Sequence, residues 1–147
     1  MQRRVSVGVF DYIAIARPRA PGARNPLADI ELAHDRMHVA ALQGLTQRLI
    51  EEQQAGGPEY SQIDTDTSIN SHTFSAALHA AGAALAATDA VMAGELENAF
   101  CAVRPPGHHA TRHQAMGFCF FNNVAVGVKY ALSRHHLKRV AVIDFDV

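Results

Sequence analysis

The chain of 147 residues is 48% hydrophobic and 18% charged, which predicts one folded domain and excludes an intrinsically disordered protein. Its 13 basic and 14 acidic residues give a formal net charge of -1, so charge provides no reason to expect direct binding to nucleic acid. The apolar stretches fall short of the roughly 18 to 20 residues that a membrane-spanning helix needs, and we expect no membrane association.

Two cysteines, Cys101 and Cys119, are too few for a disulfide framework and are better explained as buried free thiols. Free thiols indicate that the protein is located in a reducing compartment. The basic first residues are followed by a segment that contains Asp11 and Arg17, which is unlike a secretory signal peptide. We therefore expect a cytoplasmic protein.

Residues 1–29 are predicted to form an irregular N-terminal region. Within it, residues 5–15 are rich in β-branched and aromatic side chains, which favours a strand. Residues 17–26 contain three prolines and three arginines, which predicts a loop whose arginines face solvent.

Two helices are predicted from apolar residues that recur every three or four positions. The first covers residues 33–54, and its apolar face consists of Met37, Ala41, Leu45 and Leu49, widened by Val39, Leu42 and Ile50. The second is terminated by Gly94, and its stripe consists of Phe74, Leu78, Ala81, Leu85, Thr88 and Met92. The polar residues between the two helices, 60–71, predict turns.

The last third of the chain alternates between strand and helix patterns. Residues 98–103 and 139–144 are short apolar runs that are typical of buried strands. The prolines of segment 104–107 require a loop, and Asn122 or Asn123 can cap a helix that runs to about residue 135. The predicted apolar face of this helix consists of Val124, Val128, Ala131 and Leu132. This order of elements predicts a parallel sheet covered by helices.

Acidic side chains follow the last predicted strand. Functional groups of an open parallel α/β sheet gather beyond the carboxyl ends of its strands. Asp144 and Asp146 are two positions apart, so both carboxylates point to one side of the sheet. Their mutual repulsion requires a compensating donor or cation, and a metal ion is one candidate. A helix cap or a solvated loop is the alternative explanation.

Two adjacent histidines, His108 and His109, follow the other predicted strand in a loop constrained by proline and glycine. Imidazoles so placed suit proton transfer near neutral pH, although a solvent-facing pair is the simpler explanation of two histidines alone. They lack the neighbouring ligands of a structural zinc site. The second pair, His135 and His136, ends a helix beside basic residues, and we assign it no function.

Three motifs occur together and in a set order. They are Arg104-Pro105-Pro106-Gly107-His108-His109-Ala110, Gly117-Phe118-Cys119-Phe120-Phe121-Asn122-Asn123 and Asp144-Phe145-Asp146. In these motifs the chain resembles the zinc-dependent histone deacetylase family, nearest to its class II and bacterial histone-deacetylase-like amidohydrolase branch. The resemblance extends from about residue 30 to the end and includes His34-Asp35 and the segment Asp64-Thr65-Asp66-Thr67. Residues 30–147 are therefore predicted to be the N-terminal part of a deacetylase catalytic domain.

The resemblance implies an α/β fold of the arginase/deacetylase type, a three-layer structure around a parallel sheet that is incomplete in this chain. It implies that Asp146 is a zinc ligand. Asp144 would orient His108 and would help to bind a monovalent cation, which is usually potassium. His109 would be the principal general acid and base, with His108 as its electrostatic partner.

The resemblance also implies a narrow channel for an acyl-lysine side chain. Phe118 would form one of its walls, and Gly117 would let the backbone approach it closely. Either Asp64 or Asp66 would correspond to the aspartate at the channel rim that holds the substrate backbone. The sequence leaves the choice between these two aspartates open.

The implied activity is zinc-dependent hydrolysis of acetylated amines, with acetyl-lysine in proteins as the expected substrate. An acetylpolyamine deacetylase is an alternative, although such enzymes tend toward Gly-Gly-Tyr-Cys where this chain has Met116-Gly117-Phe118-Cys119. A catalytically inactive fragment or interaction module is a further alternative.

The family pattern continues after its second aspartate with a histidine ligand of zinc, whereas this sequence stops at Val147. In the family pattern, the third zinc ligand and the catalytic tyrosine come later still. The early histidine–proline–glutamate–arginine block of the family is absent from this sequence. We therefore expect the chain to carry only part of the site and to have negligible deacetylase activity alone. A truncated gene model or a degraded pseudogene explains this more simply than an enzyme completed by a second chain.

Overall fold

Four helices and four strands form the part of the chain that the computed structural model describes, which is residues 6–10, 26–144 and 146. The strands are β1 (Ser6–Phe10), β2 (Tyr60–Gln62), β3 (Ser68–Asn70) and β4 (Asn98–Ala102). The helices are α1 (Leu27–Ile30), α2 (Arg36–Gln54), α3 (Thr73–Ala93) and α4 (Asn123–Arg134). This arrangement confirms the mixed α/β class.

The strands form two separate pairs. β1 and β4 are parallel, with Ser6 opposite Asn98 and Phe10 opposite Ala102, and β2 and β3 form an antiparallel hairpin where only turns were predicted. The predicted strand at residues 98–103 is confirmed. The one predicted at 5–15 is observed at 6–10, and its other residues lie outside the described part, as do residues 17–25 of the predicted loop. A three-layer parallel sheet stays a prediction, because the described strands form one two-stranded parallel sheet and one hairpin.

Helix α2 begins three residues later than predicted, and its buried face is rotated. Asp35 is extended (φ −70°, ψ 144°) and precedes the first helical residue. Met37 is 80% exposed and Ala41 is also exposed, so the predicted face was wrong at these positions. The residues that α2 buries are His38, Val39, Leu42, Thr46 and Leu49.

Two buried polar side chains explain the rotated face of α2. His38 contributes Nε2 to a hydrogen bond with the carbonyl oxygen of Phe120 (2.9 Å), and the hydroxyl of Thr46 donates to the carbonyl of Leu42 (2.9 Å). Because both polar groups are satisfied, their burial is not costly. A pattern that counts only apolar residues places His38 and Thr46 outside the core and therefore mislocates the buried stripe.

Helix α3 is the central helix of the core. It packs against α2, α4, β3 and β4, and it ends at Gly94, which has the left-handed conformation (φ 77°) that favours glycine. With 21 residues and a mean hydropathy of 1.3 in its most apolar window, it is long and apolar enough to cross a membrane, so the expectation that nothing approached this limit was wrong. Its small side chains are packed against other elements, and we interpret it as a core helix. The buried residues are Ala77, Ala80, Ala81, Ala84, Leu85, Thr88 and Val91.

The structure decides which asparagine caps α4. The side-chain oxygen of Asn122 accepts a hydrogen bond from the backbone N–H of Ala125 (2.9 Å), so Asn122 is the cap and Asn123 is the first helical residue. The buried face of α4 was predicted correctly only at Ala131. Its centre is formed by Val126 and Tyr130, which are 0% and 4% exposed.

The strand predicted at residues 139–144 is not observed. These residues have no regular secondary structure, and Val142 and Ile143 are 55% and 85% exposed. An apolar run becomes a buried strand only where a neighbouring strand supplies backbone hydrogen bonds and a covering layer supplies apolar contacts. Within the described residues, neither β1 nor β4 pairs with this segment.

The packing of α3 predicts a cost for added volume. Ala81 is 0% exposed, and replacing it with leucine forces additional carbons into a closely packed interior. We expect Ala81→Leu to lower the free energy of unfolding by about 1 to 3 kcal/mol, as measured by urea denaturation followed by circular dichroism. Ala86→Leu, at an exposed position of the same helix, is the control and is expected to leave stability nearly unchanged. Equal stabilities of the two variants would contradict the buried position of Ala81.

Candidate active site

The two adjacent histidines lie in the loop between β4 and α4, and a glycine places that loop against the helix. A Cβ atom on Gly107 would stand 2.5 Å from the backbone nitrogen of Asn123 and 2.8 Å from the carbonyl oxygen of Phe121. Real Cβ atoms are not found at such distances, so only glycine fits there. The residue that follows, His108, therefore starts directly beside the first turn of α4.

The side chain of Asn122 holds this loop from the inside. Its Nδ2 group donates one hydrogen bond to the carbonyl of His108 (3.1 Å) and one to the carbonyl of Ala110 (3.0 Å). Its Oδ1 atom caps α4. One asparagine thus joins the start of a helix to the backbone on both sides of His109.

The structure brings together four predicted site residues. His108 Nδ1 is 2.9 Å from Asp144 Oδ2, and His108 Nε2 is 3.3 Å from Asp146 Oδ2. His109 Nε2 is 3.7 Å from the same Asp146 oxygen, and the two imidazole centroids are 4.0 Å apart. The side chain of His108 is 17% exposed, whereas His109 and both aspartates are at least half exposed. A cluster of two imidazoles and two carboxylates therefore opens to solvent on one side.

The pairing with His108 determines the charge state of Asp144. The hydrogen bond from His108 is the main cause of a pKa below the ordinary value for this carboxyl, and the backbone N–H of Asp146 adds to it by donating to Asp144 Oδ1 (3.2 Å). Asp144 is therefore ionised at neutral pH and favours the tautomer of His108 that carries a proton on Nδ1.

The donor set of this cluster fits a metal ion. The Nε2 atoms of His108 and His109 and one oxygen of Asp146 lie within 4.8 Å of one another. Ligands of a tetrahedral zinc ion at about 2.0 to 2.2 Å from the metal are roughly 3.3 to 3.6 Å apart, close to the 3.3 and 3.7 Å measured here. An unprotonated Nε2 and a carboxylate oxygen at 3.3 Å repel each other unless a proton or a cation lies between them. Asp144 is not part of this three-residue group, so its role in a monovalent cation site stays a prediction.

Gly117, which precedes Phe118, lies against the ring of His109. A Cβ atom on Gly117 would stand 2.6 Å from His109 Cδ2, and the φ angle of 57° at Gly117 is one that favours glycine. Phe118 also has positive φ (63°), and its side chain is exposed. Of the two predicted channel residues, Gly117 thus lies directly beside His109, the predicted acid and base.

Thr67 connects the segment that contains the two candidate rim aspartates to Phe118. The Thr67 hydroxyl donates to Asp66 Oδ1 (2.8 Å) and accepts from the backbone N–H of Phe118 (3.0 Å). Asp64 Oδ1 accepts from the backbone N–H groups of Asp66 (3.0 Å) and Thr67 (2.7 Å), and the Asp66 bond is the main cause of the lowered pKa of Asp64. Asp64 therefore stabilises the turn, whereas Asp66 is linked to the backbone of Phe118 through the hydroxyl of Thr67. No pattern in the sequence indicated the role of Thr67.

A buried histidine behind the site was also missed as a contributor. His34 is 1% exposed, and its Nε2 accepts the backbone N–H of Asn122 (2.8 Å). Burial, together with the charge of His38, lowers the pKa of His34 to about 4. His34 is therefore neutral at physiological pH, as its acceptor role requires. A histidine beside the aspartate that precedes α2 is a weak signal, and the sequence predicted only its membership of a motif.

The comparison with known families agrees with this arrangement. The model of the histone deacetylase domain matches residues 9–147. The chain belongs to this family. The match covers the histidine loop, the segment from Gly117 to Asn123 and both aspartates, so the resemblance stated from the three motifs is confirmed.

Relatives of this deacetylase-family chain include bacterial and animal proteins. It is 50% identical over 93 residues to the histone deacetylase-like amidohydrolase of Pseudomonas aeruginosa, covering 63% of this chain and 24% of that protein. It is 39% identical over 119 residues to the polyamine deacetylase HDAC10 of Mus musculus, covering 81% of this chain and 17% of that protein. The crystal structure of the HDA15 HD domain superimposes with a TM-score of 0.63 at 34% identity, covering 73% of this chain and 28% of that one. The chain thus spans a quarter or less of the length of these two curated relatives.

The depressed pKa of His34 predicts a pH-dependent stability. The fold favours neutral His34, so its contribution is complete above the ordinary pKa of 6.5 and is lost as the pH falls toward about 4. His34→Gln retains an acceptor but does not titrate. Between pH 7 and pH 4, we expect the free energy of unfolding to fall by about 3 kcal/mol more in the unmodified chain than in this variant. Urea denaturation at a series of pH values measures the difference, and parallel curves for the two proteins would contradict the assignment.

Proposed function

We propose that this chain carries part of the active site of a zinc-dependent deacetylase that hydrolyses the amide bond of acetylated amines. The observation that supports this most strongly is the meeting of His108, His109, Asp144 and Asp146, whose imidazole nitrogens lie 2.9 to 3.7 Å from the carboxylate oxygens. Membership of the histone deacetylase domain family supports the same reaction class. The proposed substrate is acetyl-lysine in proteins.

The proton transfers are assigned to the two imidazoles. His109 Nε2 is exposed toward the cluster and takes a proton from the attacking water, whose oxygen adds to the amide carbonyl carbon. The carbon–nitrogen bond then breaks, and His109 returns the proton to the departing amine, which leaves acetate and a free amine. His108, held on Nδ1 by Asp144, is assigned the role of electrostatic partner to His109.

A bound zinc ion would polarise the carbonyl and increase the acidity of the water, and Asp146 is the residue assigned to hold it. The same Nε2 atom cannot both bind a metal and accept a proton. If His108 and His109 carry protons, Asp146 is the only remaining donor of the three-residue group, whereas catalytic zinc sites use three protein ligands. The proposal therefore requires metal ligands in addition to this group.

The channel walls are assigned to Gly117 and Phe118. Gly117 lets the backbone pass against the ring of His109, and the exposed ring of Phe118 offers an apolar surface next to it. An acyl-lysine side chain that lies along Phe118 would present its amide to His109. Asp66, which Thr67 links to Phe118, is the better placed of the two candidate rim aspartates.

A polyamine substrate is a second candidate. It is favoured by the similarity to proteins named polyamine deacetylase HDAC10, which covers 81% of this chain in the mouse protein. The higher identity to the bacterial amidohydrolase and the sequence Met116-Gly117-Phe118-Cys119 favour acetyl-lysine instead. We also propose a reducing, cytoplasmic location, which is supported by the two buried free thiols Cys101 and Cys119.

Zinc binding tests the assignment of Asp146. We expect the purified chain to bind one zinc ion per molecule through His108, His109 and Asp146, which leaves neither imidazole free for proton transfer, and Asp146→Asn to weaken this binding by at least about ten-fold, as measured by titration calorimetry. Asp89→Asn is the matched control, because Asp89 also pairs with a histidine, His135 (2.7 Å), but lies outside the three-residue group. Equal affinities of the two variants, or no zinc binding by the unmodified chain, would count against a zinc site at Asp146.

Acetate release tests the hydrolysis itself. With added zinc, we expect little chelator-sensitive turnover of an acetyl-lysine peptide or an N-acetylated polyamine by the chain alone, because the three-residue group cannot supply both the ligands and the proton carrier. Chelator-sensitive turnover that His109→Ala abolishes would show that the chain is sufficient for catalysis. Its preference between the two substrates would then decide between the two candidate functions. Turnover that persists in His109→Ala would contradict the role given to His109.

A further inference from the structure

Every hydrogen-bonding group of Asn122 has a partner in the structure. The two Nδ2 bonds to the carbonyls of His108 and Ala110 and the Oδ1 cap of α4 use its side chain. Its backbone N–H donates to His34 Nε2 (2.8 Å), and its carbonyl accepts from Val126 (2.9 Å). A residue with all five groups engaged has one orientation, so the positions of its partners are fixed relative to one another.

The histidine loop is the fixed half of the cluster, and the aspartates are the exposed half. Asn122 donates to the carbonyls of His108 and Ala110, which lie on both sides of His109. These bonds therefore fix the backbone from which both imidazole side chains extend. Asp144 ends the segment 139–144, and Asp146 lies two residues further on; this segment is exposed and has no strand partner within the described residues. The geometry of the His108–Asp144 pair therefore depends mainly on the asparagine.

Residues 34 and 35 support this arrangement from a second direction. His34 is buried, and its Nε2 locates the backbone of Asn122. Asp35 bonds to the other end of the same loop, because its N–H donates to the carbonyl of Arg112 (3.0 Å) and its carboxylate accepts from Arg112 Nε (2.7 Å). The loop is thus held between the start of α2 and the start of α4.

We propose that Asn122 is a positioning residue of the site, whose side-chain amide, supported by His34, sets His108 in register with Asp144. The inference rests on the proposed function for its catalytic meaning, but the geometry it describes is present without substrate or metal. Asn122 does not reach the reacting atoms. It acts through the backbone of His108 and Ala110.

The experiment separates two roles of the Asn122 side chain, which are the capping of α4 and the hydrogen bonds to the histidine loop. Asn122→Asp keeps an oxygen for the N–H of Ala125 and the backbone bond to His34, but it has no N–H groups for the two loop carbonyls. Helix content is expected to stay close to that of the unmodified chain, and thermal unfolding is expected at a lower temperature, because two loop carbonyls lose their donors. Asn122→Ser, which also retains a capping oxygen and lacks the amide, provides a second variant if the carboxylate prevents folding.

The readout is the tautomer of His108, measured by long-range proton–nitrogen correlation in the ¹⁵N-labelled, metal-free chain at pH 8. In the unmodified chain we expect the form protonated on Nδ1, which Asp144 selects. In Asn122→Asp the ratio of the Nδ1–H to the Nε2–H form should fall about ten-fold or more, because one charge-assisted hydrogen bond is lost. The signals of His135, which is paired with Asp89, are the internal control and should not change.

A second pair of variants tests the support from His34. His34→Gln retains an acceptor for the N–H of Asn122 and should leave the His108 tautomer unchanged, whereas His34→Leu removes the acceptor and should shift it. An unchanged His108 tautomer in folded Asn122→Asp or Asn122→Ser would overturn the proposal. Because this readout needs neither zinc nor turnover, failure of the deacetylase assignment would appear separately, as absent zinc binding with the His108 tautomer still dependent on Asn122.

Discussion

The hydrogen bonds of Asn122 are the constraint on which the site depends. A loop that carries two adjacent histidines has buried carbonyl groups that must find donors, and the asparagine amide supplies two of them while its oxygen caps α4. Gly107 permits the close approach that these bonds need, since a side chain there would meet Asn123. Helix, loop and site are therefore built as one unit rather than as a helix with a loop attached.

The acidic half of the cluster is held differently. Asp144 and Asp146 are exposed and approach the imidazoles through polar contacts instead of through packing. Such contacts are weakly stabilising in water, so the aspartates add little to the fold, and their value lies in the electrostatics of the site. The three donors could hold a metal, yet an imidazole that binds it gives up its role in proton transfer. The chemistry of the cluster therefore depends on which additional ligands would hold a bound metal ion.

Sequence patterns predicted the existence and type of most helices and strands, but not which faces of the helices are buried. α3, the cap at Asn122 or Asn123 and the stop at Gly94 follow from local rules, because capping groups and a left-handed residue act within one turn of the helix. The buried face of α2 was misjudged partly because His38 is satisfied by the carbonyl of Phe120, a partner 82 positions away that the local sequence does not reveal. The strand at 139–144 failed for a related reason, since strand formation requires a neighbour that supplies hydrogen bonds.

The sequence alone identified the residues that are predicted to carry the chemistry: the tandem histidines, the paired aspartates and the Gly117-Phe118 segment, all in motifs that are local in the chain. Only the tertiary structure showed that Asn122 and His34 hold the histidine loop and that Thr67 joins Asp66 to Phe118. These contacts link residues that are 14, 88 and 51 positions apart. Reactive groups are recognised by their type and spacing, whereas the bonds that position them depend on how distant segments pack, which no local pattern encodes.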